Sequence, residues 1–462
     1  MAWTFSVLGG GQEIGANSYL LNLAGTRILL DAGLHPKKYG EESLPDYDRI
    51  DHELEAIFIS HAHLDHIGSL PLVNRRHPQA PIFATLPTKD IALRMLHNTV
   101  TVMNIFREEK GMLEYPFFDR QDLWPLEEEI LGVEYRPRRI PSPQGENLYS
   151  EWVHLRRGIQ VHFIPAGHVL GAAGVLLRQG KRVIYYTGDI SLKDQALVSG
   201  ALLPEGRIDT LILECTYGND PGYHSQNRQA EIDSFAREAT SVLSAGGCVL
   251  LPAFALGKTQ ELLCILSGLM REGKVPPVPL YLSGLGKSVT EIYQEHRRYL
   301  RPRASILSFD LFSVLGSLDD LSVRALLREP AVIVATNGMM VENTPSARIA
   351  RWMVQEERHG IFFCGYVDPD TLGYRVFHAR PGEALLFSPD GNPVTVRNSN
   401  IRRFYLSSHA DRYEILEVAR RIHPRHIILV HGEKEGMEFM TGELEGDFRV
   451  FLGERGRTID LD

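Results

Sequence analysis

Three histidines and an aspartate fall within six positions, His61, His63, Asp65 and His66, directly after the apolar run Ile57-Phe58-Ile59 in IFISHAHLDHIGSLP. Imidazole nitrogens and a carboxylate at that density are ligands for a cation such as zinc. Side chains two apart on an extended segment share a face, so His61 and His63 point the same way, while Asp65 and His66, past a bend, can face a second ion. Further donors are expected where other apolar β runs stop. His168 in PAGHVLGAAG, Asp189 closing RVIYYTGD and His431 in HIILVHGE stand at such places. Asp31 in ILLDAG is a fourth case, read as support that orients the ligands.

Strands must carry these residues. WTFSVLGG and NSYLLNLAGTRILLDAG alternate short β-rich runs with glycine turns, and Leu20 to Leu23 and Thr26 to Leu30 flank Ala24-Gly25 as a hairpin. Residues 55–60 read as a buried strand and 66–76 as a helix. APIFATLPTKDIALRMLHNTV gives a strand, a proline turn and a helix, and 100–157 is more charged and aromatic, with RPRRIPSPQGEN as an exposed loop. GGGQEIG misses the dinucleotide-binding fingerprint, because its third glycine position holds Ile14. From about 216 helices and strands alternate, through QAEIDSFAREATSVLSAGG, CVLLPAFALG, KTQELLCILSGLMREG, VPLYLSG and PAVIVATNGMM, which implies a parallel-sheet α/β unit. Near 400 the β texture returns with IRRFYLSSHAD, followed by a helix over 412–422 and HIILVHGE.

A chain of 462 residues exceeds one ordinary core, so two domains are expected. Hydrophobic content of 44% with 23% charged residues describes a folded rather than a disordered chain. No apolar run is long enough to cross a membrane, and the start lacks a signal-peptide pattern. Cys215, Cys248, Cys264 and Cys364 lie far apart with no CxxC pair, which suits buried thiols in a reducing cytoplasm. A net charge of −9 argues against a broad basic nucleic-acid surface, although bound divalent cations would add local positive charge.

Taken in order, Asp31, His61-x-His63-x-Asp65-His66, His168, Asp189 and His431 resemble the metallo-β-lactamase fold in its two-metal hydrolase form. LECTYG with Glu214, PAFALGKTQELL, GMM at 338–340, GYVDPDTLG at 365–373, SSHAD with His409 and LVHGE resemble the β-CASP branch of nucleases, over nearly the whole chain. The resemblance implies an α/β fold class: a metallo-β-lactamase αββα sandwich over 1–215 and 396–462, with an inserted parallel-sheet α/β β-CASP domain over 216–395. It implies two Zn2+ per chain, one on His61, His63 and His168, the other on Asp65, His66 and His431, with Asp189 bridging. Glu214 would hydrogen-bond His409, the candidate acid for the leaving oxygen. Asp65 would also aim a metal-activated hydroxide. The implied reaction is hydrolysis of RNA to 5′-phosphate products, with endonuclease and 5′-exonuclease modes both open. Histidine at 431 is typical of RNA-processing members, where DNA-repair members usually carry valine. The chain departs from the family pattern at Thr336-Asn337, before GMM, and in the longer region 100–157.

Arg402, Arg403, Arg412, Lys258, Lys434 and Ser408 lie near these motifs and are the candidates for phosphate contact. His35, His162 and His224 are also near motifs and read as structural. The expected partner is single-stranded RNA, with no membrane, a cytoplasmic location and a homodimer left open. Three rivals remain: a hydrolase of a thioester or other small carbonyl substrate, a DNA nuclease, and a silent scaffold subunit. The inserted α/β unit and His409 are not needed for a small substrate, and a silent scaffold would usually have lost ligands.

Overall fold

The computed structural model describes residues 3–141, 147–220, 227–302, 312–316, 318–365, 367–388 and 391–462. Two compact units result, one built from Met1–Gly222 with His409–Asp462 and the other from Tyr223–Ser408. The strands of the first unit before the insertion are β1 (Trp3–Gly9), β2 (Ser18–Leu23), β3 (Thr26–Leu30), β4 (Ala56–Phe58), β5 (Ile82–Thr85), β6 (Ile130–Val133), β7 (Tyr135–Pro141), β8 (Asn147–Ser150), β9 (Val153–His154), β10 (Ile159–Pro165), β11 (Ala173–Gln179), β12 (Arg182–Tyr186) and β13 (Thr210–Glu214). The second unit holds β14 (Val249–Pro252), β15 (Leu280–Leu282), β16 (Phe312–Val314), β17 (Val332–Ala335), β18 (Gly360–Phe363), β19 (Ala384–Leu385), β20 (Val394–Thr395) and β21 (Ile401–Arg403). The chain then returns to the first unit with β22 (His426–Val430), β23 (Arg449–Leu452) and β24 (Thr458–Asp460).

Two seven-stranded mixed sheets make the first unit, in the orders β24-β1-β2-β3-β4-β5-β6 and β23-β22-β13-β12-β11-β10-β9. Strand alternation decides which residues face which layer. Ile212 and Ile428 enter the core between the sheets with Phe5, Tyr19, Phe58, Phe163 and Tyr186. Their neighbours Leu211, Leu213, Ile427 and Leu429 face the opposite way, onto Ile415, Val418, Ala419, Met437 and Met440. Those five sit on the helices Arg412–Ile422 and Lys434–Leu444. The first helix is capped by Asp411, whose carboxylate accepts from the Tyr413 and Glu414 amides. The helix Leu86–Lys110 packs on β5 and β6 of the other sheet, giving the αββα layering. Its start is set by Thr85, which accepts from the Thr88 amide, and by Pro87 in the first turn; Gly111, at φ 66°, stops it.

Differences from the sequence reading have local causes. The expected helix over 66–76 is two, Leu64–Ile67 and Leu70–Arg76, parted at Ser69 ahead of Pro71. The helix read in LPTKDIALRMLHNTV runs on to Lys110, into the more charged and aromatic region 100–157. The second unit extends to Ser408 rather than 395, because Ile401–Arg403 pairs in parallel with Ile361–Phe363 of its own sheet. That sheet, β16-β15-β17-β14-β18-β21, is parallel throughout, as the alternating helix and strand texture implies. Among the described residues no helix is long and apolar enough to cross a membrane. Phe163 is fully buried between the sheets, 6.0 Å from Phe58 ring to ring. Phe163→Ala is expected to cost about 3–5 kcal/mol, read as a lowered urea midpoint of the first unit.

Candidate metal centre

Strand register brings the candidate donors together. β12, β13 and β22 run parallel with Ile184, Thr210 and His426 side by side, so Asp189, Glu214 and His431 emerge beyond the same end of the sheet. On the facing sheet β3 and β4 are parallel neighbours, which places Asp31 beside Ser60 and starts the His61–His66 segment at that end. His168 comes from the turn between β10 and β11.

The donors form two groups around one carboxylate. His63 Nδ1 lies 3.0 Å from both His61 Nε2 and His168 Nε2, and Asp189 Oδ2 is 3.4 Å from His61 Nε2 and 3.6 Å from His168 Nε2. On the other side Asp189 Oδ1 is 3.3 Å from His66 Nε2 and 3.1 Å from His431 Nδ1. Asp65 Oδ2 is 3.2 Å from His431 Nε2 and 3.7 Å from His66 Nε2. Hydrogen bonds alone account poorly for this arrangement. A neutral imidazole nitrogen carries one proton or one lone pair, so His63 Nδ1 cannot make two good bonds to His61 and His168 at once. Asp189 Oδ1 is buried yet accepts no hydrogen bond. Three lone pairs and a carboxylate oxygen converging on one point suit zinc, and the second group offers the same chemistry.

Behind the donors, Asp31 is fully buried; its Oδ2 lies 2.7 Å from His66 Nδ1 and accepts from Ser60 Oγ and Tyr186 OH, both at 2.7 Å. It touches no reacting position, and it fixes the His66 ring so that Nε2 faces the centre. Gln195 donates to the carbonyls of Gly167 and His168 at 2.8 and 2.7 Å, holding that turn. Asn17 Nδ2 lies 3.0 Å from His66 Nε2, and Thr216 Oγ1 3.1 Å from His431 Nδ1. None of Asn17, Thr216, Gln195, Ser60 and Tyr186 was singled out in the sequence; each is an isolated polar residue whose signal exists only in three dimensions. Asn17 ends the glycine-rich segment, which is packed under the donors rather than around a nucleotide. Gly10 O accepts from His431 N at 2.9 Å, and a Cβ on Gly33 would stand 1.7 Å from Asp65 O.

His409 Nδ1 is 3.2 Å from both oxygens of buried Glu214 and 3.9 Å from Asp189 Oδ2. Glu214 also accepts from the Ile190 amide at 2.7 Å and from Thr216 Oγ1 at 2.5 Å. Burial works against the His409 imidazolium, but the charge and hydrogen bonding of Glu214, joined by the Asp189 charge, outweigh it and raise the group above its ordinary value.

The remaining candidates occupy other settings. Lys258 is buried in the second unit, where its ammonium meets the Leu406 carbonyl, and burial with Arg228 nearby pushes it down to about 8. Arg402 is exposed on β21 and donates to the Ser399 and Ile401 carbonyls at 2.8 and 3.1 Å; the Arg403 guanidinium lies 4.8 Å from the Tyr405 ring centroid. Ser408 closes that unit. In the first unit Arg412 lies over Tyr413 and Phe439, and Lys434 is 3.8 Å from Glu438. His162 is buried and bonded to Ser150 and the Tyr149 amide, and His35 accepts from the Lys37 and Lys38 amides, both structural duties. His224 lies outside the described residues.

Two mixed sheets with clustered histidine and aspartate donors at their strand ends have the layout of the metallo-β-lactamase class. Residues 20–213 match the metallo-beta-lactamase superfamily domain, 259–376 the Beta-Casp domain, and 394–451 the Zn-dependent metallo-hydrolase RNA specificity domain. The chain belongs to the metallo-β-lactamase superfamily and, within it, to the β-CASP branch. It is 29% identical over 456 residues to cleavage and polyadenylation specificity factor subunit 3 of Dictyostelium discoideum, covering 96% of this chain and 55% of that one. Endoribonuclease YSH1 of Gibberella zeae is 29% identical over 95% of this chain and 54% of its own, and transcription termination factor FttA of Methanocaldococcus jannaschii 28% identical over 93% and 67%. The chain thus spans little more than half the length of the first two. A solved structure of a protein of unknown function from Enterococcus faecalis shares the fold, with a TM-score of 0.58 at 16% identity over 100% of both chains.

Two predictions follow from the donor electrostatics. Burial opposes the imidazolium forms of His66 and His431, but the surrounding carboxylates together outweigh it, Asp189 first among them, raising His66 well above its ordinary value and His431 to about 10 in the metal-free protein. Zinc must displace those protons, so its apparent affinity should rise with pH and loading at neutral pH should release roughly two protons, measured by calorimetry in buffers of different ionisation enthalpy. Asp31→Asn should lower zinc affinity about 10- to 100-fold, seen in competition with a chromogenic chelator.

Proposed function

We propose that this chain is a zinc-dependent endoribonuclease that hydrolyses phosphodiester bonds of single-stranded RNA, leaving a 5′-phosphate and a 3′-hydroxyl. The carrying observation is the sharing of Asp189 between two imidazole groups, with the Glu214-backed His409 3.9 Å from that same carboxylate. Hydrolysis of a thioester needs no additional histidine there. The RNA specificity domain over 394–451 and the name endoribonuclease borne by the Gibberella relative support RNA and internal cleavage. All four cysteines are free and buried, which supports a reducing, cytoplasmic setting.

When bound, two zinc ions supply an activated water nucleophile and offset the phosphate's negative charge. The side chains do the rest. The partly exposed Asp65 carboxylate accepts a hydrogen bond from the attacking water and aligns it in line with the scissile bond. The P–O3′ bond breaks as the new P–O bond forms, and the imidazolium of His409 gives its proton to O3′. Glu214 holds His409 in the required orientation and stabilises its charged form, then favours recapture of a proton from water. Asp31 keeps His66 in one tautomer throughout.

The test is cleavage of 5′-labelled linear RNA, circular RNA and DNA by zinc-loaded protein. Cutting of linear and circular RNA is expected; hydrolysis of a thioester with RNA left intact would overturn the reading. His409→Ala should lower kcat about 10²- to 10⁴-fold with zinc content unchanged, measured by metal analysis beside turnover.

A further inference from the structure

The parallel strands that end at the donors begin, at their other end, with cations. Arg182 opens β12, Arg207 precedes β13, Arg425 directly precedes β22, and Arg449 opens β23. Register places them at the same end of the sheet, staggered along the strands by up to three residues, since Ile184 pairs with Thr210, Thr210 with His426, and His426 with Arg449. Neighbouring strands lie about 4.8 Å apart, so four arginines from four successive strands form a staggered row that spans roughly 14 Å across the sheet. Lys181, in the hairpin turn before β12, adds a fifth charge, and all five side chains are exposed.

Carboxylates balance only part of this charge. Arg182 pairs with Asp462, and Arg207 with Asp209 at 2.6 and 2.9 Å. Among the described residues Lys181, Arg425 and Arg449 have no carboxylate partner, although Arg449 lies over the Phe451 ring, in a chain whose net charge is −9. Trp3, Lys181, Arg182, Arg207, Arg425 and His426 line a cavity of about 250 Å³ there. The Arg182 guanidinium stacks over the Trp3 ring, 5.1 Å from its centroid, and His426 is 2% exposed with an Nδ1 that finds no hydrogen-bond partner. Several exposed cations, Lys181 and Arg425 without carboxylate partners among them, around a cavity with an unused imidazole nitrogen suit an extended chain of phosphates better than one isolated carboxylate.

We infer that this strand-start row is a second RNA-contact site, which holds backbone phosphates of a substrate strand whose scissile bond lies at the opposite end of the same strands. The inference rests on the ribonuclease reading. From Arg182 to Asp189 the extended chain covers roughly 20 Å, so a minimal phosphodiester cannot reach both places and only a long strand gains from the row.

The experiment compares zinc-loaded wild type with Lys181→Glu/Arg425→Glu and with a charge-matched control, Arg328→Glu/Arg420→Glu. Long single-stranded RNA and a small chromogenic phosphodiester serve as substrates. Binding of the long RNA is measured over a salt series in a His409→Ala background. The row variant is expected to raise KM for long RNA at least tenfold, leaving kcat, zinc content and turnover of the small diester at wild-type values. Its salt dependence of log affinity should be shallower by about 1.4, at roughly 0.7 per lost phosphate contact. If row variant and control behave alike while RNA is still cut, the inference falls and the ribonuclease reading stands. Displacement by an acidic peptide with RNA binding unmoved would also overturn it, and wild type that neither binds nor cuts RNA would remove both readings.

Discussion

A buried carboxylate organises this centre. Asp189 is 2% exposed, and an ionised group so far from water must be neutralised by charge close at hand. Its two oxygens are divided between imidazole pairs, His61 with His168 and His66 with His431. Without cations, protons on His66 and His431 supply the balance, held there by Asp189 together with its neighbouring carboxylates against the pull of burial. Either way the site is built as a cage for positive charge. The surrounding contacts, from Asp31 behind His66 to Gln195 under the His168 turn, keep the cage from collapsing on itself.

The fold meets that demand by parallel register. Strands that start level also end level, so residues far apart in sequence become neighbours beyond one edge of a sheet. The same geometry works on both faces. Alternate residues of β13 and β22 feed the inter-sheet core and the helical layer, which leaves the strand ends as the place where polar groups can gather without disturbing either core.

That logic also explains what could be read from the chain beforehand. His61, His63, Asp65 and His66 were legible as a dense polar cluster directly after an apolar β run, and His168, Asp189 and His431 as polar groups where such runs stop, groups that an interior does not tolerate alone. Asn17 and Thr216 were not, since a lone asparagine after glycines or a threonine in a turn is ordinary loop composition. The end of the inserted unit was misjudged by about a dozen residues for a similar reason: Ile401–Arg403 looks like any short strand, and only its partner, β18, tells which sheet owns it. Net charge is blind to placement: a total of −9 does not show that Arg182, Arg207, Arg425 and Arg449 come together at one end of four neighbouring strands.

The second unit interrupts the first, with His409 and His431 encoded after it. A polypeptide leaving the ribosome therefore presents His61 to Asp189 long before the last imidazoles arrive, and the inserted unit must be synthesised in between. Until then Asp189 has lost part of its counter-charge, and β13 lacks β22 along its edge. The order of residues along the chain thus acts as a timer, keeping the centre incomplete until the inserted unit and the segment after it have been made.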